Sequence, residues 1–261
     1  MTHLCQYKAL TLKVNQVNVE HPILFSGEMV RAILEGRKTQ TRRVVKLPSD
    51  AKNISYWDTP THRPQEGYAD PGVNYWTPKG NQIDKCPYGF PSDIMWVRET
   101  WRIVGWDWES GDWTIEYRAD GKDKTFESCD KIDEEAAENY AIECTNACSD
   151  ARIPIGEDYF YIFDDEHPCP TKWKPSIFMP RPFSRITLEI VSVRSEQLQS
   201  ISEQDAIAEG AQCPGFPASL TNRDAFAKLW DSINAKRGYS WQSNPFVWVV
   251  EFKRIDKGVS L

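Results

Sequence analysis

The chain reads as an α+β protein, barrel-like rather than a βαβ alternation, with flanking helices and a large insertion. Three observations predict this. Strand-like runs occupy 23–25, 93–104, 186–194 and 245–254. Helical spacing of apolar residues is confined to short stretches behind Ser26, Ser202 and Thr221. The order is strand, helix, turn, strand, insertion, strand, helix, helix, strand, so helices do not alternate with strands.

Each element has a local reason. Ile23, Leu24 and Phe25 make a short apolar strand. Ser26 suits an N-cap, because its hydroxyl can accept from an otherwise unpaired first-turn amide, and Met29, Ile33 and Leu34 give the following helix a buried face. Gly36 ends that helix, since glycine takes the left-handed C′ conformation without strain. An extended Arg42–Leu47 follows. Residues 48–92 are rich in Pro, Gly, Asp and Asn and read as a long loop.

Residues 93–104 read as one edge strand with a wet face. Met95, Val97, Glu99 and Trp101 lie on one side; Trp96, Arg98, Thr100 and Arg102 lie on the other. Residues 105–170 form an insertion with a strand-like Thr114–Arg118, a helical Glu134–Ile142 and an aromatic Tyr159–Phe163. Three prolines keep 171–185 out of any central strand. Ile186–Arg194 alternates as a half-buried strand. Ser202 caps a short helix to Glu209 that Gly210 ends. Thr221 or Asn222 opens a longer helix through Lys236, with Phe226, Leu229, Trp230 and Ile233 at helical spacing and Gly238 as its stop. Residues 245–254 are a strongly apolar closing strand. One domain over 22–258, carrying the 48–92 loop and the 105–170 insertion, accounts for these elements.

With 261 residues, 40% hydrophobic and 12% aromatic, the chain can bury a sizeable core. Its 11 Trp can fill that core or offer flat faces to bases. No apolar run reaches the roughly 18 residues of a membrane span. Residues 1–20 lack the apolar core of a secretory signal, so a cytoplasmic protein is expected. The net charge of −7 is unevenly placed: residues 105–170 hold 19 acids against 5 bases, and the remainder holds 19 against 26. That remainder is basic enough for an anionic ligand such as a nucleotide or RNA.

The seven cysteines fit free thiols. Cys129, Cys144, Cys148 and Cys169 lack a CxxC pair, so no metal site is assigned and no cofactor is expected. The chain has no GxGxxG, P-loop or GxSxG, so dinucleotide, NTPase and hydrolase-elbow readings lack support.

The most chemical stretch is Gly36-Arg37-Lys38-Thr39-Gln40-Thr41-Arg42-Arg43. After the glycine stop, Lys38 and Thr41 sit three apart on a tight turn and can converge on one pocket. An amine beside a hydroxyl can activate a weak nucleophile. The plainer alternative is that basic residues behind a helix complement its dipole.

Helix, G-x-K-x-x-T-x-R, strand, then S-x-x-D with a helix, then a closing Val-Glu-Phe-Lys strand resembles the ASCH domain family of the PUA-like superfamily. Those are small β-barrels that handle RNA and modified nucleosides. Residues 34–45, 96–101, 173–185 and 246–254 also resemble longer ASCH-like proteins of phages and prophages; the acidic insertion has no counterpart in the resemblance. The family includes small bacterial amidohydrolases that remove the acetyl group of 4-acetylcytidine. The resemblance implies Lys38 as the assisting amine, Thr41 as nucleophile and Glu209 as the completing carboxylate. Arg42, Arg43, Trp96 and Arg98 are the expected substrate-binding residues, with Trp96 or Trp101 stacking on the base. A nucleoside or RNA is the expected ligand. Two alternatives stand beside this reading: a non-catalytic PUA-like binding module for RNA or modified nucleic acid, and a ribonuclease. No pair of histidines at suitable spacing supports the last.

Overall fold

A computed structural model describes residues 18–47, 52–57, 72–77, 80–107, 110–127, 132–153, 168–211 and 221–255. Eleven strands are seen there: β1 (Glu20–Leu24), β2 (Gln40–Val44), β3 (Lys52–Trp57), β4 (Gly72–Thr77), β5 (Gly80–Lys85), β6 (Ile94–Arg98), β7 (Trp101–Asp107), β8 (Asp112–Tyr117), β9 (Lys122–Phe126), β10 (Thr187–Gln197) and β11 (Phe246–Ile255). Four α-helices accompany them: α1 (Gly27–Leu34), α2 (Glu134–Asp150), α3 (Glu203–Ala208) and α4 (Asn222–Asn234). The molecule is mixed α+β.

The main sheet has the order β1-β6-β10-β11-β2. Only β1 and β6 run parallel; the other pairs are antiparallel. Both faces of β11 are apolar because both are covered. Trp248, Val250 and Phe252 join Phe25, Val30 and Ile33 in a core on the α1 side. Val247 and Val249 join Ala206, Phe226 and Trp230 in a second core on the α3–α4 side. Strand β2 is the sheet's edge beside β11, and alternation sends its residues to the two sides in turn. Thr41 and Arg43 stand opposite Val250 and Trp248, while Arg42 and Val44 stand opposite Val249 and Val247.

The caps behave as the sequence suggested. Ser26 Oγ accepts from the Met29 amide, and Ser202 and Thr221 each form a capping box with the acid three residues on. Gly36, Gly210 and Gly238 all have positive φ.

Two sequence readings are corrected. Residues 93–104 are two strands, and β6 is interior, flanked by β1 and β10, with residues 94–97 buried on both faces. The break falls at Glu99, which is 2% exposed. Its carboxylate accepts two 2.9 Å bonds from Arg185, which also holds Asp120. This charge cluster turns the chain out of the main sheet and into β7. Residues 48–92 are not wholly a loop either, since β3, β4 and β5 form an antiparallel sheet there. Ladder hydrogen bonds bridge the Gly- and Pro-rich punctuation that read as irregular.

The acidic insertion has its own core. Strands β7-β8-β9 form a third sheet against α2, burying Trp101, Trp106, Trp113, Ile115, Tyr117 and Phe183 with Cys144 and Cys148. Helix α2 runs past the expected end at Ile142, to Asp150. The expected aromatic stretch Tyr159–Phe163 lies outside the described residues. Much of the tryptophan content is thereby spent on packing.

Candidate functional site

Two helix ends meet at the site. Helix α1 closes with Arg37 N bonding Ala32 O at 2.8 Å and Gly36 N bonding Ile33 O at 3.0 Å. Helix α3 closes the same way, with Ala211 N on Ala206 O at 3.1 Å and Gly210 N on Ile207 O at 2.8 Å. The two turns then pair: Lys38 and Glu209 form an antiparallel bridge, and Thr39 N bonds Ala208 O at 2.8 Å. Lys38 and Thr41 therefore do not share a tight turn, as the sequence had suggested. The turn is complete by Arg37, and the chain beyond is held extended, first by α3 and then by β11.

Lys38 Nζ donates to the Glu209 carbonyl at 2.9 Å and to Glu209 Oε2 at 2.7 Å. Its side chain is 0% exposed. Burial lowers the Lys38 pKa below 10.5, outweighing the opposing pull of Glu209. The amine also stands 5.8 Å from the Phe25 ring, over which Arg43 lies at 5.1 Å.

Glu209 holds a second cation. Its Oε1 accepts from Arg42 at 3.2 Å, and Arg42 also donates to Glu196 at 2.6 Å and Asp205 at 3.1 Å. Arg194 closes the network by binding Glu196, Asp205 and Glu251. Burial pushes the Asp205 carboxyl up, but Arg42 and Arg194 outweigh it and hold it below the usual range. Arg42 is thus held by three carboxylates and fixes Glu209, and it also lines the cavity beside them.

A cavity of about 380 Å³ wraps over β2 at this point. Thr41, Arg43, Glu209, Tyr88, Phe226 and Arg237 are among its lining residues. Thr41 is 2% exposed. Lys38 is not among the lining residues but contacts Glu209, which is. Trp96 and Arg98, expected at the site, do not line the cavity; the Arg98 guanidinium covers the Trp96 ring at 4.6 Å, and Arg181 lies 5.8 Å from the same ring. Trp101 is fully buried in the core of the insertion.

Sequence reasoning missed Asp205, Glu196, Arg194, Tyr88, Phe226 and Arg237 as site residues. Asp205 had a signal, lying three residues beyond the Ser202 cap, but that signal concerns helix initiation. Cys129 lies outside the described residues. Among the described residues no group of three or more His, Cys, Asp or Glu is arranged to hold a metal ion.

The helix-end pairing yields a stability test. A Cβ on Gly210, at φ +81°, would stand 3.2 Å from Ala32 Cβ and 3.4 Å from Lys38 Cβ. Gly36, at φ +74°, has open space around it. Gly36→Ala is expected to cost about 1 kcal/mol from backbone strain alone. Gly210→Ala is expected to cost roughly 2–3 kcal/mol, because crowding adds to strain. Urea unfolding of both variants measures the difference.

Comparison with protein-family models, with curated proteins and with solved structures gives no significant match for this chain. The functional reading therefore rests on the residues themselves.

Proposed function

We propose that the protein is an amidohydrolase that removes an acyl group from the exocyclic amine of a modified nucleoside or base, such as 4-acetylcytidine, and that it is an ASCH-type member of the PUA-like superfamily acting in the cytoplasm. On this reading the main sheet and its neighbours correspond to the family's β-barrel. The observation that carries the proposal is the contact of Lys38 with Glu209 beside a cavity that Thr41 lines. Lysine, threonine and glutamate are the residue types that the resemblance calls for; Lys38 and Glu209 meet from segments 171 residues apart, and Thr41 and Glu209 line the same cavity.

The proposed chemistry gives each of these groups a role. A neutral Lys38 amine would use its two N–H groups on the Glu209 carbonyl and carboxylate, leaving its lone pair for a proton. Burial favours that neutral form. The Thr41 hydroxyl attacks the acyl carbonyl and Lys38 takes its proton. The C–N bond breaks as Lys38 returns the proton to the leaving amine, releasing cytidine and leaving an acyl ester on Thr41. Water, deprotonated by the same amine, hydrolyses the ester to acetate and restores the threonine. Arg42 and Lys38 hold the Glu209 carboxylate in place throughout. Tyr88, Phe226 and Tyr239 line the cavity and supply apolar and aromatic walls for a base, in place of the Trp96 expected from sequence. The volume lies at the small end of the range for small-molecule sites.

The direct experiment is to incubate the purified protein with 4-acetylcytidine and quantify cytidine and acetate. Equal amounts of both support the reading; no product from folded protein ends it. The pH dependence gives an independent check. The base must be unprotonated, so kcat/KM is expected to rise with pH and level off at an apparent pKa below 10.5. Stability carries the same signature. Between the lowered value and 10.5 the unfolded chain binds more protons at Lys38 than the folded one, so stability gains with rising pH in that window. Lys38→Met is expected to remove this gain.

A further inference from the structure

The cavity holds more positive charge than the deacylation chemistry uses. Arg43, Lys46 and Arg237 all line it. Among the described residues none of the three has a carboxylate within ion-pair distance. Among the described residues lining it the one acid is Glu209, which is taken by Lys38 and Arg42. Arg43 also keeps a buried Nε with no hydrogen-bond partner, although its other end donates to Leu24 O at 2.6 Å. Arg237 is close enough to Arg43 for their like charges to repel. Cations gathered around a concavity without an intervening acid are costly unless an anion joins them.

We infer that the cavity binds its ligand through a phosphate group, so that the preferred ligand is a nucleotide unit and not a free nucleoside. This rests on the nucleoside-directed reading above and narrows its substrate class. Arg43, the most enclosed of the three, offers a planar fork suited to phosphate oxygens. Lys46 and Arg237 are exposed and supply charge at the rim. The base would then lie deeper, against Thr41 and the aromatic walls. Complementing the end of α4 is a second role for Arg237, but it accounts for neither Lys46 nor the Arg43 Nε left without a hydrogen bond.

The test is calorimetric binding of cytidine, cytidine 5′-monophosphate, inorganic phosphate and a short single-stranded cytidine-containing RNA at low and moderate salt. The monophosphate is expected to bind at least about tenfold more tightly than cytidine. The preference should shrink with added salt. In the exposed variants Lys46→Glu and Arg237→Glu the ratio of the two affinities should fall toward one; folding is checked by thermal unfolding. A monophosphate that binds as well as the RNA identifies a free nucleotide as ligand, and a much tighter RNA identifies a phosphate within a chain. Equal affinity for cytidine and its monophosphate overturns the inference, as does a ratio that survives both substitutions. Acetate release from 4-acetylcytidine, measured on the same preparations, keeps the two proposals apart: release without phosphate preference refutes only this one, and phosphate preference without release refutes only the amidohydrolase.

Discussion

Arg42→Met is expected to lower the unfolding free energy by about 3 kcal/mol, measured by urea denaturation at neutral pH. The Arg42 side chain is 0% exposed and reaches Glu196, Asp205 and Glu209. Methionine keeps much of the volume but returns none of the charge. Glu209 would retain only Lys38, and Glu196 and Asp205 would share Arg194. The remaining cations soften the loss, which places it at the lower end for breaking a buried pair. Arg194→Met, at a side chain 24% exposed, is expected to cost less. The gap between the two should narrow in acid. Asp205 supplies stability in full above its ordinary value of 3.8 and loses it as pH falls through its lowered pKa.

Thr41→Ala is expected to reduce kcat/KM for 4-acetylcytidine by at least about 10³-fold with little change in stability. The substitution removes one hydroxyl and one methyl at the sheet's edge strand. Its backbone pairing with Val250 on β11 needs no side chain. Thr41→Ser keeps the hydroxyl without the methyl that restrains its rotamer, and is expected to retain part of the rate. Equal losses in both variants would show that the hydroxyl is not the group that matters.

Much of the fold was legible where a rule is local. Ser26, Gly36, Ser202, Gly210 and Gly238 each do what hydrogen-bond and backbone preferences demand, and the apolar run at 245–254 is a central strand covered on both faces. The failures come from tertiary partners. The corner at Glu99 depends on Arg185 and Asp120, which lie 86 and 21 positions away. Periodicity alone carried the strand straight through it. The β3-β4-β5 sheet is specified by cross-strand pairing within a segment whose composition signals turns.

At the candidate site, Lys38, Thr41 and Glu209 are named from sequence only because their residue types resemble a family motif. Their geometry could not. Sequence spacing suggested a shared turn, whereas the structure holds Lys38 against a helix end contributed 171 residues later. Trp96 and Arg98 looked like a stacking wall because strand alternation put them together. They are together, but Arg98 covers the ring itself. The carboxylates around Arg42 come from β10 and α3, and no local pattern links them to β2.

The most direct measurement is a double-substitution cycle in kcat/KM on 4-acetylcytidine, comparing the unsubstituted protein, Lys38→Met, Thr41→Ala and the pair, each at equal folded concentration. If amine and hydroxyl act in one step, each single change removes nearly all activity and the double variant is no worse than either. Losses that multiply in the double variant, or turnover that persists in Thr41→Ala, would contradict the account.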